Sequence, residues 1–143
     1  MNKKELLNLI KTLKIDKSEF WVLSSGNLVL RDLLDNANDL DIAVTEKGLE
    51  QLKLQFNLVQ KDTGFYYVND LVECIVKPKD SIMYDKIGDL QLQNLVVYHK
   101  WLSTTKREKD KIKYEIVTKY LSDINSNDIK SINEYIKYEN KNK

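Results

Sequence analysis

Apolar positions along this chain recur with two different periods, and the change between them divides it. Leu6, Leu7, Ile10 and Leu13 share one helical face behind Asn2, a suitable N-cap, which predicts a helix through about Leu13 lying as a lid or flank. Phe20-Trp21-Val22-Leu23 is a continuous apolar run stopped by Ser24-Ser25-Gly26, the pattern of a buried strand entering a tight turn. Leu28, Val29, Leu33 and Leu34 suit a short helix, and Asp35-Asn36-Ala37-Asn38 a loop. Asp39 to Val44 then reads as a second strand, and Thr45 as the N-cap of a helix with Leu49, Leu52 and Phe56 inward.

Further on, Phe65 to Val68 and Leu71 to Val76 flank Asn69-Asp70, two residues that tolerate positive φ, so a β-hairpin is expected, closed by Pro78. From Asp89 the period becomes helical, with Leu92, Leu95, Val96, His99 and Leu102 in one stripe. Thr105 to Glu108 has the form of a capping box ahead of a helix burying Ile112, Ile116, Val117, Tyr120 and Leu121. A last helix is expected from about Asn127 to Tyr138. Strands early and helices late predict an α+β fold: a small mixed sheet flanked by helices, with a helical C-terminal half. The expected organisation is a single domain over 1–143, with a core at 1–80 and helices at 89–138 packed on it.

Composition narrows the function classes. The chain has 143 residues, and 23 Lys and Arg against 22 Asp and Glu leave a formal net charge of +1. No global field draws in nucleic acid, so a nucleic-acid-binding domain is disfavoured and any phosphate affinity has to be local. One cysteine excludes an intrachain disulfide. With no secretory leader and no apolar run long enough to span a bilayer, a cytoplasmic protein without membrane partners is expected.

The candidate chemistry lies in acidic residues. Asp39 and Asp41, two apart on a strand, point to one face, while Leu40, Ile42 and Val44 point to the other. Side-by-side carboxylates on a half-buried strand repel, and a divalent cation between them would remove the penalty; a solvated polar face is the plainer alternative. Glu73 lies in Leu-Val-Glu-Cys-Ile-Val, where both faces of the strand look buried, so a metal, a basic partner from the C-terminal helices, or protonation must relieve it. Asp70 competes for the same role but is accounted for by the turn. Oxygen donors alone favour Mg²⁺ or Mn²⁺. Cys74 reads as a small buried hydrophobe and His99 as a satisfied core histidine.

The order of apolar strand, Gly/Ser turn, short helix and Asp-Leu-Asp strand resembles the nucleotidyltransferase superfamily that includes DNA polymerase beta and small bacterial antibiotic and toxin–antitoxin nucleotidyltransferases. Gly26 precedes Asp39 by thirteen positions, which fits. The resemblance covers about residues 20 to 121, with Lys100 and the Arg107-Glu108-Lys109-Asp110 stretch similar to small bacterial members. It implies a nucleoside triphosphate, ATP the first candidate, bound with Mg²⁺ (or Mn²⁺) on Asp39, Asp41 and Glu73. Glu73 would serve the nucleophile, while Ser24, Ser25, Gly26, Lys100, Arg107 and Lys109 would contact the nucleotide. The reaction implied is transfer of a nucleoside monophosphate to a hydroxyl of an unknown acceptor. Ser24-Ser25-Gly26 stands where the family has a glycine pair, which keeps open a catalytically degenerate partner-binding subunit, of toxin–antitoxin or phage-defence type. A homodimer or a partner chain would then close the site. A lysine ammonium in the gap among the three acids would leave the scaffold likeness alone.

Overall fold

The computed structural model describes residues 1–123, so the helix expected at Asn127 to Tyr138 lies outside the described residues. The chain divides into two compact units, Met1–Leu92 and a second beginning at Gln93.

The first unit is built on helices α1 (Lys3–Leu13), α2 (Ser24–Leu30) and α3 (Glu46–Lys53), and strands β1 (Phe20–Val22), β2 (Leu40–Val44), β3 (Val59–Gln60), β4 (Tyr66–Asn69), β5 (Val72–Val76), β6 (Tyr84–Ile87) and β7 (Leu90–Gln93). They form one mixed sheet in the order β3-β4-β5-β2-β1-β7-β6. β1 runs antiparallel to β2, and β2 parallel to β5. The α+β class and the mixed sheet are as expected.

Alternation along the strands sorts the sheet into two faces. Phe20, Val22, Leu40, Ile42, Val44, Val72 and Cys74 all enter one hydrophobic core with Leu6, Ile10 and Leu13 of α1 and Leu49 and Leu52 of α3. Trp21, Asp41, Ala43 and Glu73 therefore project from the opposite face. α1 starts with a complete capping box, Asn2 Oδ1 accepting from Glu5 N at 2.9 Å and Glu5 Oε1 from Asn2 N at 3.1 Å. It is a core helix, not a lid, because three of its apolar residues are buried.

Several further expectations change. Residues 84–93 form a β-hairpin, with Gly88 at φ +61° in its turn, where a helical stripe from Asp89 is expected; α4 (Leu95–Leu102) begins only after Asn94, whose side chain accepts from Val96 N and Val97 N. The stripe through Leu92 is misleading because a short buried strand and a helix share such spacing. The first unit consequently extends past residue 80. β3 is a further strand, too short to announce itself by alternation. In the β4–β5 turn neither Asn69 nor Asp70 has positive φ. Instead Asn69 Oδ1 accepts from Leu71 N at 2.9 Å, and the turn lies at Asp70-Leu71. Finally, the Thr105–Glu108 capping box does not form: α5 (Glu108–Ser122) has Arg107 at its N-cap with no side-chain cap. Along α5, Val117 is fully buried but Ile112 is 62% exposed.

Where the short 3₁₀ turn Lys17–Glu19, the end of β2 and the start of α3 meet, three residues interlock. Thr45 Oγ1 accepts from Gly48 N at 3.1 Å and donates to the buried Glu19 carboxylate at 2.6 Å. A Cβ on Gly48 would stand 2.7 Å from the Glu19 carbonyl oxygen, a backbone atom that cannot swing aside. Gly48→Ala is therefore expected to destabilise the protein by about 1–3 kcal/mol, read from urea denaturation midpoints. The Thr45 hydrogen bond, opposed by burial and aided by Lys79, holds the Glu19 carboxyl below the ordinary carboxylate range. Its contribution is present above the ordinary carboxylate pKa and lost as pH falls through the lowered one. Melting temperatures of Glu19→Gln should thus fall less steeply than wild type on acidification; parallel curves would disprove the linkage.

Candidate functional site

The register of β2 on β5 creates the site. Asp41 pairs with Glu73 across the parallel ladder, Glu73 with Tyr67 across β4, and Tyr67 with Val59 on β3. Paired residues share a face, so Val59, Tyr67, Glu73 and Asp41 form one row across four strands, with neighbouring strands roughly 4.8 Å apart. Asp39 precedes β2 by one residue, is exposed, and shares the parity of Asp41. The structure thus brings Asp41 and Glu73 together from positions far apart in the chain.

Glu73 is half-buried, a correction to the expectation of two buried faces. β5 buries Val72 and Cys74 against the core, while Glu73 opens to the other side with a side chain 30% exposed. Cys74 behaves as the sequence suggests: fully buried, its thiol pushed up by burial to about 11. Asp70, the competing third acid, sits in the turn and accepts a hydrogen bond from the Tyr67 hydroxyl.

The basic partner of Glu73 is Lys61, not a residue of the C-terminal helices. Lys61 Nζ lies 2.5 Å from Glu73 Oε1. Lys61 follows β3 directly, so it reaches Glu73 across β4, from the side away from β2. The Glu73 carboxylate holds this ammonium above the ordinary lysine range, and Asp41 and Asp39 add to that effect. Sequence reasoning misses Lys61. The only trace is its parity with Val59, and a two-residue strand gives no period to read.

The donor set suits a hard divalent cation, since it offers carboxylate oxygens without nitrogen or sulfur. The row also already holds a cation, the Lys61 ammonium. Among the described residues, no three His, Cys, Asp or Glu side chains are gathered closely enough to hold a metal ion as they stand.

Ser24, Ser25 and Gly26 form the first turn of α2 itself, not a turn ahead of it. Ser24 takes φ +55°, and Leu23 N donates to Asp41 O at 2.9 Å, which ties this entry to the Asp41 strand. Gly26 is buried, and a Cβ there would press on Val22 Cγ1 at 3.3 Å and Leu40 Cδ1 at 3.4 Å, so its place is explained by close helix–sheet packing. A cleft of about 500 Å³ lined by Glu19, Thr45, Lys77 and Lys79 lies at the opposite ends of β2 and β5 from Asp41 and Glu73. It does not coincide with the acid row.

Lys100, Arg107 and Lys109 belong to the second unit, all exposed. Arg107 is organised by Asp110, whose Oδ2 accepts from Arg107 Nε at 2.6 Å and from Thr105 Oγ1 at 2.9 Å. The guanidinium also stands 5.7 Å from the Trp101 ring centroid. Burial raises the Asp110 pKa, but these two hydrogen bonds outweigh it and hold the carboxyl below its ordinary range. In the same unit His99 stacks on Tyr114 at 4.6 Å and bonds Thr118 Oγ1 at 2.7 Å, which accounts for it structurally.

Among the described residues no helix is long and apolar enough to cross a membrane. Comparison with known proteins finds no matching family model, curated protein or solved structure. Removal of the Asp110 carboxylate leaves Arg107 and Thr105 without their buried acceptor. Asp110→Ala should therefore cost about 1–3 kcal/mol in thermal or urea unfolding, with loss of helical circular dichroism.

Proposed function

We propose that this chain is a nucleotidyltransferase-like enzyme that binds a nucleoside triphosphate with Mg²⁺ and transfers a nucleoside monophosphate to an acceptor hydroxyl. One observation carries the reading: Asp41 and Glu73 are register partners on adjacent parallel strands, on the face turned away from the core. Around them the chain keeps the strand–helix–strand order of β1, α2 and β2, with Asp39 just ahead of β2.

Asp39, Asp41 and Glu73 would hold Mg²⁺, which when bound neutralises polyphosphate charge and lowers the pKa of the attacking hydroxyl. In the transfer, the acceptor oxygen forms a bond to the α-phosphorus in line with the leaving pyrophosphate, whose bond breaks, and Glu73 takes the hydroxyl proton. The strands fix the backbones of Asp41 and Glu73, while their side chains and Lys61 would have to rearrange to take up the ion.

A second reading is favoured by a specific observation. With Lys61 on Glu73 and serines in place of the glycine pair, the same scaffold would serve as a catalytically silent partner-binding subunit. The Lys61 ammonium beside Glu73 is the circumstance in which the scaffold likeness alone would stand, so the silent subunit ranks at least equal; the enzyme reading requires a divalent ion to displace this pair, whose side chains are 44% and 30% exposed.

Isothermal titration with ATP and Mg²⁺ decides between them. Wild type should bind, and an Asp39→Asn, Asp41→Asn double variant should bind at least about tenfold more weakly, the loss of one charge-assisted contact or more. Equal heats from both proteins would remove the assignment of the acids. No heat from wild type would favour the silent subunit.

A further inference from the structure

We infer that the hairpin of β6 and β7 is a charge-latched strap: it leaves the edge of β1 as one unit while β2, β4 and β5 stay paired, and the buried Arg31–Asp85 pair holds it shut. Among the described residues β7 meets β1 at one register pair, Val22 with Leu92, whereas β2 meets the other side of β1 from Phe20 with Val44 through Val22 with Ile42. Backbone pairing alone therefore holds this seam weakly. Side chains close it instead.

Arg31, just past α2, donates from Nη2 to Asp85 Oδ2 at 2.9 Å, and the two side chains are only 8% and 17% exposed. Arg31 Nε donates in turn to Asn27 Oδ1 at 2.8 Å, one helical turn back, so α2 itself aims the guanidinium at the hairpin. Gln91 Nε2 donates to Phe20 O at 2.9 Å, Leu90 and Leu92 enter the core, and the Tyr84 ring tilts against Trp21 with centroids 6.4 Å apart. The remaining ion pair, Lys17 with Asp89, is exposed and screened by solvent. Loss of one partner from the buried pair, by contrast, strands a charge. The strap has its own turn at Gly88, φ +61°, and a tether that folds on itself, Ser81 N donating to Pro78 O at 3.0 Å. It can therefore come away without unwinding a neighbouring element. Its departure leaves β1 as an edge strand with backbone groups open to another strand.

Amide hydrogen exchange of the full chain, read peptide by peptide, tests this. In wild type at low urea, residues 84–92 should exchange through an opening with a weaker urea dependence than β2 and β5, because a local opening exposes less surface than global unfolding. Asp85→Ala should speed exchange over 84–92 by about thirtyfold or more, the effect of stranding a buried charge, and should change β2 and β5 far less. Lys17→Met, which breaks the exposed pair, should speed 84–92 by no more than about fivefold. An equal urea dependence for all strands in wild type overturns the separate opening, whether or not the variants fold. Equal acceleration of every strand in Asp85→Ala, no acceleration at 84–92, or an equal effect of Lys17→Met overturns the latch.

Discussion

The parallel ladder between β2 and β5 sets Asp41 beside Glu73, and the electrostatics of that pairing govern the outer face of the sheet. Register in a sheet has a period of two, so a slip of one residue in either strand would turn its carboxylate into the core and break the pairing. The burial of Leu40, Ile42, Val72 and Cys74 in the core opposes that slip. The same packing that makes the core stable therefore forces two like charges together. Lys61, arriving from beyond β4, relieves the repulsion with an ammonium on a flexible stem. In the proposed enzyme a metal would take over this role.

Packing on the inner face explains why the pairing is held firmly. α1 and α3 bring leucines onto β1, β2 and β5, and Gly26 and Gly48 allow α2 and α3 to approach the strands more closely than a side chain would permit. The interlock of Glu19, Thr45 and Gly48 fastens the far end of β2, so its start, where Asp39 and Asp41 lie, projects from a strand anchored behind it.

The second unit follows a different logic. Its basic residues are arranged around a buried acid: Asp110 draws in Arg107 and Thr105, and the guanidinium is further placed by Trp101. Arg107 is thus a positioned cation, whereas Lys109 is exposed on the helix surface. The spacing of Arg107 and Asp110 marks both as one helical turn, but the burial that makes Asp110 an organiser is a property of the folded unit.

By itself the sequence determined the elements whose signals are local. The Asn2 cap, the helix behind Thr45, the apolar strands at β1 and β2, and the burial of Cys74 follow from local signals of a few residues. Tertiary structure decided what depends on contacts between distant segments. The hairpin at 84–93 carries an apolar spacing that suits helix and strand alike, and only its place beside β1 selects strand. Asp41 and Glu73 meet through a parallel crossover, and Lys61 finds Glu73 across an intervening strand. Local periodicity records which face a residue takes, but it holds no information on which strand will lie next to it, because that choice is made by the packing of the whole core.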